Sequence, residues 1–373
     1  MPRSLNGGRG IALNKAVTPK SKTHRKRIAV LGMSLSITTF VFAAFQGSSI
    51  PPGTTRFNLI PPRGIPMPPL TADNPLTIEG VALGDRLFNE VKLSDNNSIS
   101  CASCHHEDAA LSDPGKAVSL GAEGQIGVRN APALTNVAFA APFFLDGRTP
   151  TLRSQTVQPI QNSIEMHQTL AAALGKLQAD ATYVAAFKKA FGSAGITEDR
   201  LKKALEQYLE QSLSGNTPFD RFQAGQTSAL TASQQRGRTI FFTPVGGRVR
   251  GGDCFRCHGG PTFSDHNFHN VGLDLFSSDK GRGGVTNNPR DIGAFKTPSL
   301  RNIAVTGPFM HDGRFRTIRD VVDFYSEGIR KSSTLDPGLA KLNGGFHFTA
   351  QEKSDLVAFL ESLTDPKYQP RTP

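Results

Sequence analysis

The chain has no tryptophan, and only four tyrosines, four cysteines and five methionines among 373 residues. Without an indole, the few tyrosines are the only phenols or indoles left to carry charge through the interior. Four cysteines are too few for a fold built on disulfides. Acidic residues are missing from the first 50 positions, which hold eight Lys and Arg, while the rest has 34 basic against 31 acidic residues. The formal charge of +11 therefore belongs mostly to the leader and does not describe a nucleic-acid-binding surface. What remains is 38% hydrophobic with 37 Gly and 25 Pro, a composition that excludes disorder and coiled coil and suits a loop-rich chain long enough for two domains.

Long apolar runs are scarce as well. Arg25, Lys26 and Arg27 precede the uncharged stretch Ile28 to Phe45, and Gly47, Ser48 and Ser49 follow it, which is the order of a secretory signal peptide. Such a stretch also reaches the lower limit for a membrane span. Residues 1–49 are thus read as a signal peptide or N-terminal anchor, with Ser34, Ser36, Thr38 and Thr39 favouring cleavage. The expected location is the periplasm, with membrane contact only if the segment is retained. Residues 50–75 carry eight prolines, whose fixed φ and missing N–H exclude helix and central strand, so this part is expected to be an extended linker with folding starting near residue 76.

All four cysteines lie in two motifs, Cys101-Ala-Ser-Cys104-His105 and Cys254-Phe-Arg-Cys257-His258. Each is the Cys-x-x-Cys-His pattern of haem c attachment, in which two thiols bond one haem and the histidine becomes its proximal iron ligand. A structural zinc site or a redox dithiol would use the same residue types. Zinc ribbons place their cysteine pairs some 15 to 20 residues apart, whereas 149 residues lie between Cys104 and Cys254. The expected cofactors are two covalently attached haem c groups.

Shifted by 166 positions, Pro132–Arg153 aligns without a gap to Pro298–Arg319, and 11 of 22 residues are identical. Each copy follows one haem motif. This predicts a mainly α fold of two tandem cytochrome c-like haem domains related by internal duplication, over residues 76–225 and 226–368. Thr231 with Gln234 and Thr349 with Glu352 read as capping boxes, and Pro366 is expected to stop the last helix. Leu201, Ala204, Leu205, Tyr208 and Leu209 recur at helical spacing and read as core.

The sixth iron position separates an electron carrier from an enzyme that activates peroxide. In the second copy Thr317 opens a helix whose Ile318, Val321, Val322 and Tyr325 share one face, so Tyr325 points inward, either as core or as a phenolate ligand. Its counterpart in the first copy is Pro159, which offers no donor atom, and the first haem is therefore predicted to be open. Gln155 and Glu165 lie nearby in a Pro-bearing segment that by itself reads as solvated loop.

From Leu76 to Thr364 the chain resembles the bacterial dihaem cytochrome c peroxidase superfamily. The resemblance is carried in order by Lys92-Leu-Ser-Asp-Asn-Asn-Ser-Ile-Ser-Cys101, Arg129-Asn130-Ala-Pro132, Asp146-Gly147-Arg148, Gln155 through Met166, Phe268-His269-Asn270, Pro298-Ser-Leu-Arg-Asn302 and His311-Asp312-Gly313-Arg314. It implies that Glu165 and Gln155 line the peroxide pocket of the N-terminal haem, with Glu165 as general base and then acid. It also implies a calcium site formed by Asn130 with backbone carbonyls around Lys296 and Pro298. Asp323-Phe324-Tyr325 looks like the methylamine-utilisation, MauG-type branch, in which Tyr replaces the usual Met as ligand of the second haem.

Two positions depart from the pattern. Ser119-Leu120-Gly121 is followed by Ala122 where ordinary members carry the histidine that caps the peroxidatic haem, and Leu145 stands where members place a tryptophan between the haems. The expected function is reduction of hydrogen peroxide to water with electrons from a small cytochrome c or copper protein. The alternatives are a MauG-like protein-modifying oxidase and a dihaem electron-transfer cytochrome, for which Met166, His167, Met310 or His311 would supply ligands.

Overall fold

The computed structural model describes residues 49–248 and 250–368, and residues 1–48 of the predicted leader lie outside them. The chain is mainly helical. Its helices are α1 (Ile78–Phe88), α2 (Leu152–Gln155), α3 (Gln158–Gln161), α4 (Leu170–Gln178), α5 (Ala181–Phe191), α6 (Glu198–Gln211), α7 (Pro218–Gln223), α8 (Ala232–Phe242), α9 (Gly283–Thr286), α10 (Ile318–Asp323), α11 (Pro337–Ala340) and α12 (Ala350–Glu361). The strands β1 (Phe268–His269) and β2 (Phe295–Lys296) form a small antiparallel ladder. No helix among the described residues is long and apolar enough to cross a membrane.

Local sequence explains the helix starts. Thr77, Thr169 and Thr197 accept a backbone N–H to open α1, α4 and α6, the capping boxes expected at Thr231 and Thr349 are formed, and Thr317 opens α10 with a third. The last helix ends at Glu361, five residues before Pro366. Buried Leu363 follows it, and Pro366 opens a short 3₁₀ turn instead of acting as the stop.

Two main apolar clusters result. The first joins α1, α4, α5 and α6 through Leu83, Leu87, Tyr183, Phe187 and Leu205, and the second joins α7, α8, α10 and α12 through Phe219, Phe241, Val322 and Phe359. In each, two helices meet at a glycine. A Cβ on Gly84 of α1 would lie 2.0 Å from the Ala204 carbonyl of α6, and one on Gly237 of α8 would lie 1.9 Å from the Asp355 carbonyl of α12. Phe219, which the sequence places before the 225/226 boundary, packs with Phe242, Phe263 and Phe359, so α7 belongs to the second core.

The 166-residue offset recurs in backbone conformation. Asn136 and Asn302 (φ 61° and 64°), Phe144 and Met310 (φ 66° and 72°) and Gly147 and Gly313 (φ 67° and 68°) are left-handed in both copies. The bridges Phe143–Thr149 and Phe309–Phe315 also correspond. Left-handed non-glycine residues are uncommon, so their recurrence in register reflects one loop geometry used twice.

The 50–75 segment is irregular, as its prolines require, but it is not a free tether. Ile65 and Asn74 are buried, Arg63 accepts from Asn216 N–H, and Thr71 and Asn74 bond to Glu206 and Glu210 of α6. Ordered packing thus begins well before residue 76. Glu210 is buried, its Oε2 has no hydrogen-bond partner among the described residues, and burial pushes its carboxyl up to about 7. Because that value exceeds the unfolded one, ionising Glu210 costs stability as pH rises from the unfolded value to about 7, and the cost is absent in acid. Glu210→Gln is expected to raise the thermal midpoint at pH 8 and to change it little at pH 4.

Candidate haem and peroxide site

Each Cys-x-x-Cys-His segment winds into a 3₁₀ turn closed by the His105 N–H to Cys101 carbonyl bond (3.0 Å) and the His258 N–H to Cys254 carbonyl bond (2.8 Å). His105 Nδ1 is 2.8 Å from the Leu111 carbonyl, and His258 Nδ1 is 3.1 Å from the Phe263 carbonyl. With Nδ1–H donating there, each ring keeps Nε2 as the free nitrogen for a metal, the arrangement typical of an oriented ligating histidine. Burial lowers both imidazole pKa values, which favours the neutral form that ligation needs.

Burial pushes the Cys101 and Cys254 thiols up to about 12. A redox dithiol needs the opposite shift. The single grouping of metal-type donors among the described residues is Cys257, Asp265 and His269. Its histidine is already held at both nitrogens, by Asp336 at 2.8 Å and by Asp265 at 3.0 Å. His269 is pushed up to about 10, first by the Cys257 sulfur and then by Asp336 and Asp265. Once Cys257 bonds a haem, the two carboxylates remain to hold that charge. Sequence reasoning quoted His269 only as part of a signature, because its partners come from 4 and 67 positions away.

Both motifs open on one cavity of about 870 Å³, which is also lined by Gln155, Pro159, Glu165, Leu145, Asn130, Lys296, Pro298 and Tyr325. The donor sets and the shared apolar cavity fit one haem c on each motif. Toward the first motif, Glu165 Oε1 accepts from Asn162 Nδ2 at 2.6 Å. Burial raises the Glu165 pKa, against smaller lowering effects of Asn162 and Arg148. The Gln155 amide has no hydrogen-bond partner among the described residues. Ala122 is buried and pinned by its N–H to the Glu165 carbonyl at 2.7 Å, so the position of the absent histidine is tied to the glutamate loop.

Tyr325 also lines the cavity, although the helix expected to carry it is altered. Regular winding ends at Asp323, and Phe324–Gly328 form a π turn. The wider turn is held from outside, since Tyr325 and Ser326 carbonyls accept from Phe346 and His347 N–H, and Ser326 Oγ accepts from Phe348 N–H. Such turns often occur at functional sites. The Tyr325 hydroxyl has no partner among the described residues, and burial, followed by the nearby Cys257 sulfur, raises its pKa.

Residues 78–228 match the di-haem cytochrome c peroxidase family. Methylamine utilization protein MauG of Methylophilus methylotrophus is 36% identical over 332 residues, which are 88% of this chain and 94% of that protein. The chain belongs to the di-haem cytochrome c peroxidase family. Cytochrome-c peroxidase IdrP1 of Denitromonas iodatirespirans is 34% identical, with 90% of this chain and 98% of that protein aligned. The crystal structure of a MauG-like protein associated with microbial copper homeostasis superposes with a TM-score of 0.75 at 32% identity, covering 84% of this chain and 99% of that one. As a family member the chain is a haem peroxidase, and the family implies two haem c groups.

The other residues named from sequence are placed as follows. His167 is at the surface, 3.2 Å from Glu123, and Met166 is buried in the first core where that core lines the cavity. Met310 and His311 line the cavity, with the His311 ring stacked 3.9 Å from Phe295. Asn130 donates to the Lys116 and Ala117 carbonyls at 3.2 and 3.1 Å, and its Oδ1 has no hydrogen bond among the described residues. Lys296 Nζ is bonded to the Ala140 and Pro142 carbonyls, and burial pushes its pKa down to about 8.

Proposed function

We propose that this chain is an exported, periplasmic dihaem peroxidase that reduces hydrogen peroxide to water with electrons from a small cytochrome c or copper protein. The reading is supported above all by the contrast between the two ends of the cavity. Tyr325, whose hydroxyl has no partner among the described residues, is near enough to Cys257 and Cys254 for their sulfurs to act on it, whereas Glu165 is the carboxylate that acts on both Cys101 and Cys104, and Pro159 and Gln155 line the same cavity, Pro159 in the place that corresponds to Tyr325. Two tandem haem domains descended by duplication account for the repeated backbone conformations, and Tyr325 accounts for the MauG-type branch. A calcium ion between the halves would use the free Oδ1 of Asn130 with the Lys296 and Pro298 carbonyls.

A haem held by Cys101, Cys104 and His105 would supply the redox chemistry needed for O–O cleavage. Glu165 would take a proton from one peroxide oxygen and return it to the other, which leaves as water. Gln155 orients the peroxide by hydrogen bonds but holds no transferable proton. Two electrons and two further protons complete the conversion of one peroxide to two waters. A protein-modifying oxidase is the second reading, favoured by Tyr325 and by the MauG relative, with the electrons drawn from a side chain of another protein.

Electron paramagnetic resonance of the oxidised holoenzyme tests the assignment. One high-spin haem that binds cyanide and reacts with peroxide without pre-reduction is expected, and Tyr325→Phe should alter the spectrum of the other haem and raise its potential by removing an anionic donor. Two low-spin haems with no accessible site would favour the electron-transfer cytochrome.

A further inference from the structure

A chain without tryptophan that handles peroxide has few side chains able to give up one electron, so the surroundings of its four tyrosines are informative. Tyr183 donates to Glu90 at 2.6 Å under the Arg86 guanidinium, and Tyr325 is at the second haem motif. Tyr208 is placed differently. Its ring lies 5.0 Å from Phe88, whose ring lies 6.3 Å from that of His105, the proximal ligand residue of the first motif. It is also near enough to Cys101 for the sulfur to act on its phenol, together with Asp85 and Glu107. Tyr208 is half-buried at the edge of the first core, and its hydroxyl has no hydrogen-bond partner among the described residues.

The fourth tyrosine is Tyr368, from the C-terminal end of the described chain. It is half-buried, and Glu107 and the Tyr208 phenol are among the groups acting on it. His105, Phe88 and Tyr208 therefore form a row of rings at the first haem motif, and Tyr368 is near enough for the Tyr208 phenol to act on it. Helical spacing marked Tyr208 as core, and α6 does bury that face, but its contacts with Phe88 and Gly84 come from α1.

We propose that Tyr208 is a redox relay through which an oxidising equivalent formed at the first haem escapes toward the surface when no donor supplies electrons, with Tyr368 as the next station. The proposal rests on the peroxidase reading above. In the step, one electron passes from the Tyr208 phenol to the oxidised first-haem site, the phenolic O–H bond breaks, and its proton goes to water, leaving a neutral phenoxyl. Tyr368 then gives an electron to Tyr208, its proton is released as Tyr208 takes one up, and the phenoxyl is moved to Tyr368. Two such surface phenoxyls from different molecules couple through a new ring–ring C–C bond to dityrosine.

The test uses holoenzymes of matched haem content given peroxide without donor, read by freeze-quench electron paramagnetic resonance, haem absorbance and mass spectrometry. Wild type is expected to show a tyrosyl-type radical and then dityrosine-linked dimers. Tyr208→Phe, which keeps the ring packed on Phe88, should lose that radical and show bleaching of the haem absorbance in fewer turnovers. Tyr368→Phe should keep the radical and lose the cross-link, and Tyr183→Phe should behave as wild type. An unchanged radical in Tyr208→Phe, or its loss only in Tyr183→Phe, overturns the relay. A first haem whose absorbance does not respond to peroxide overturns the peroxidase reading itself, and the relay with it.

Discussion

Glu165→Gln is expected to slow O–O cleavage about 100-fold or more, the scale of losing a positioned acid–base group. The glutamine keeps the size and the hydrogen-bonding oxygen that Asn162 engages, so haem content and peroxide entry should survive. What it loses is the ability to take a proton and return it. Burial is the main influence on this carboxyl and raises its pKa. A base must be ionised, so the single-turnover rate of the native enzyme should fall as pH drops through that raised value, and the Gln variant should lack this acid limb. Gln155→Ala should cost less, since a neutral amide orients peroxide without moving a proton. Equal single-turnover rates for wild type and Glu165→Gln, at matched haem occupancy, would remove Glu165 from the chemistry.

Asp220→Ala is expected to destabilise the protein by about 3–5 kcal/mol, the cost of leaving one partner of a buried ion pair alone. That is a large part of the stability of an ordinary fold. Arg301 and Asp220 are almost fully buried and meet through two bonds of 2.8 and 2.9 Å. The pair also joins three separate stretches of chain. Asp220 Oδ2 accepts from Thr217 N–H and Oγ1 at the start of α7, while Arg301 reaches the Gly64 carbonyl of the Pro-rich segment at 3.2 Å and the Pro261 carbonyl near the second haem motif. Gly64 is necessary there, because a Cβ would lie 2.0 Å from Asp220 Oδ1. Denaturant unfolding measures the loss, and the double variant Asp220→Leu with Arg301→Met should recover much of it by removing both charges. A midpoint unchanged in Asp220→Ala would show that water reaches the guanidinium.

The haem motifs and the helix starts at Thr231, Thr317 and Thr349 were legible in the sequence because each rests on contacts within a few residues, and the repeat because it needs only the chain compared with itself. Two thiols and a histidine in five positions suffice for attachment, and a threonine three residues before its partner suffices for a capping box. The 166-residue repeat predicted where backbone conformations recur, since asparagine and glycine suit left-handed turns wherever the same loop is built. Gln155 and Glu165 by themselves read as solvated loop, and only the resemblance singled them out.

Tertiary structure decided what depends on distant partners. Composition set the Pro-rich segment as irregular, but α6, Asn216 and the Arg301–Asp220 pair fix it against the core, through bonds more than 100 residues long in sequence. The π turn at Tyr325 depends on residues 346–348, which helical spacing cannot include. The pairing of Tyr208 with Phe88 depends on how closely α1 approaches α6 at Gly84. Periodicity records which face of a helix is buried, whereas the neighbour it meets is chosen by packing across the whole chain.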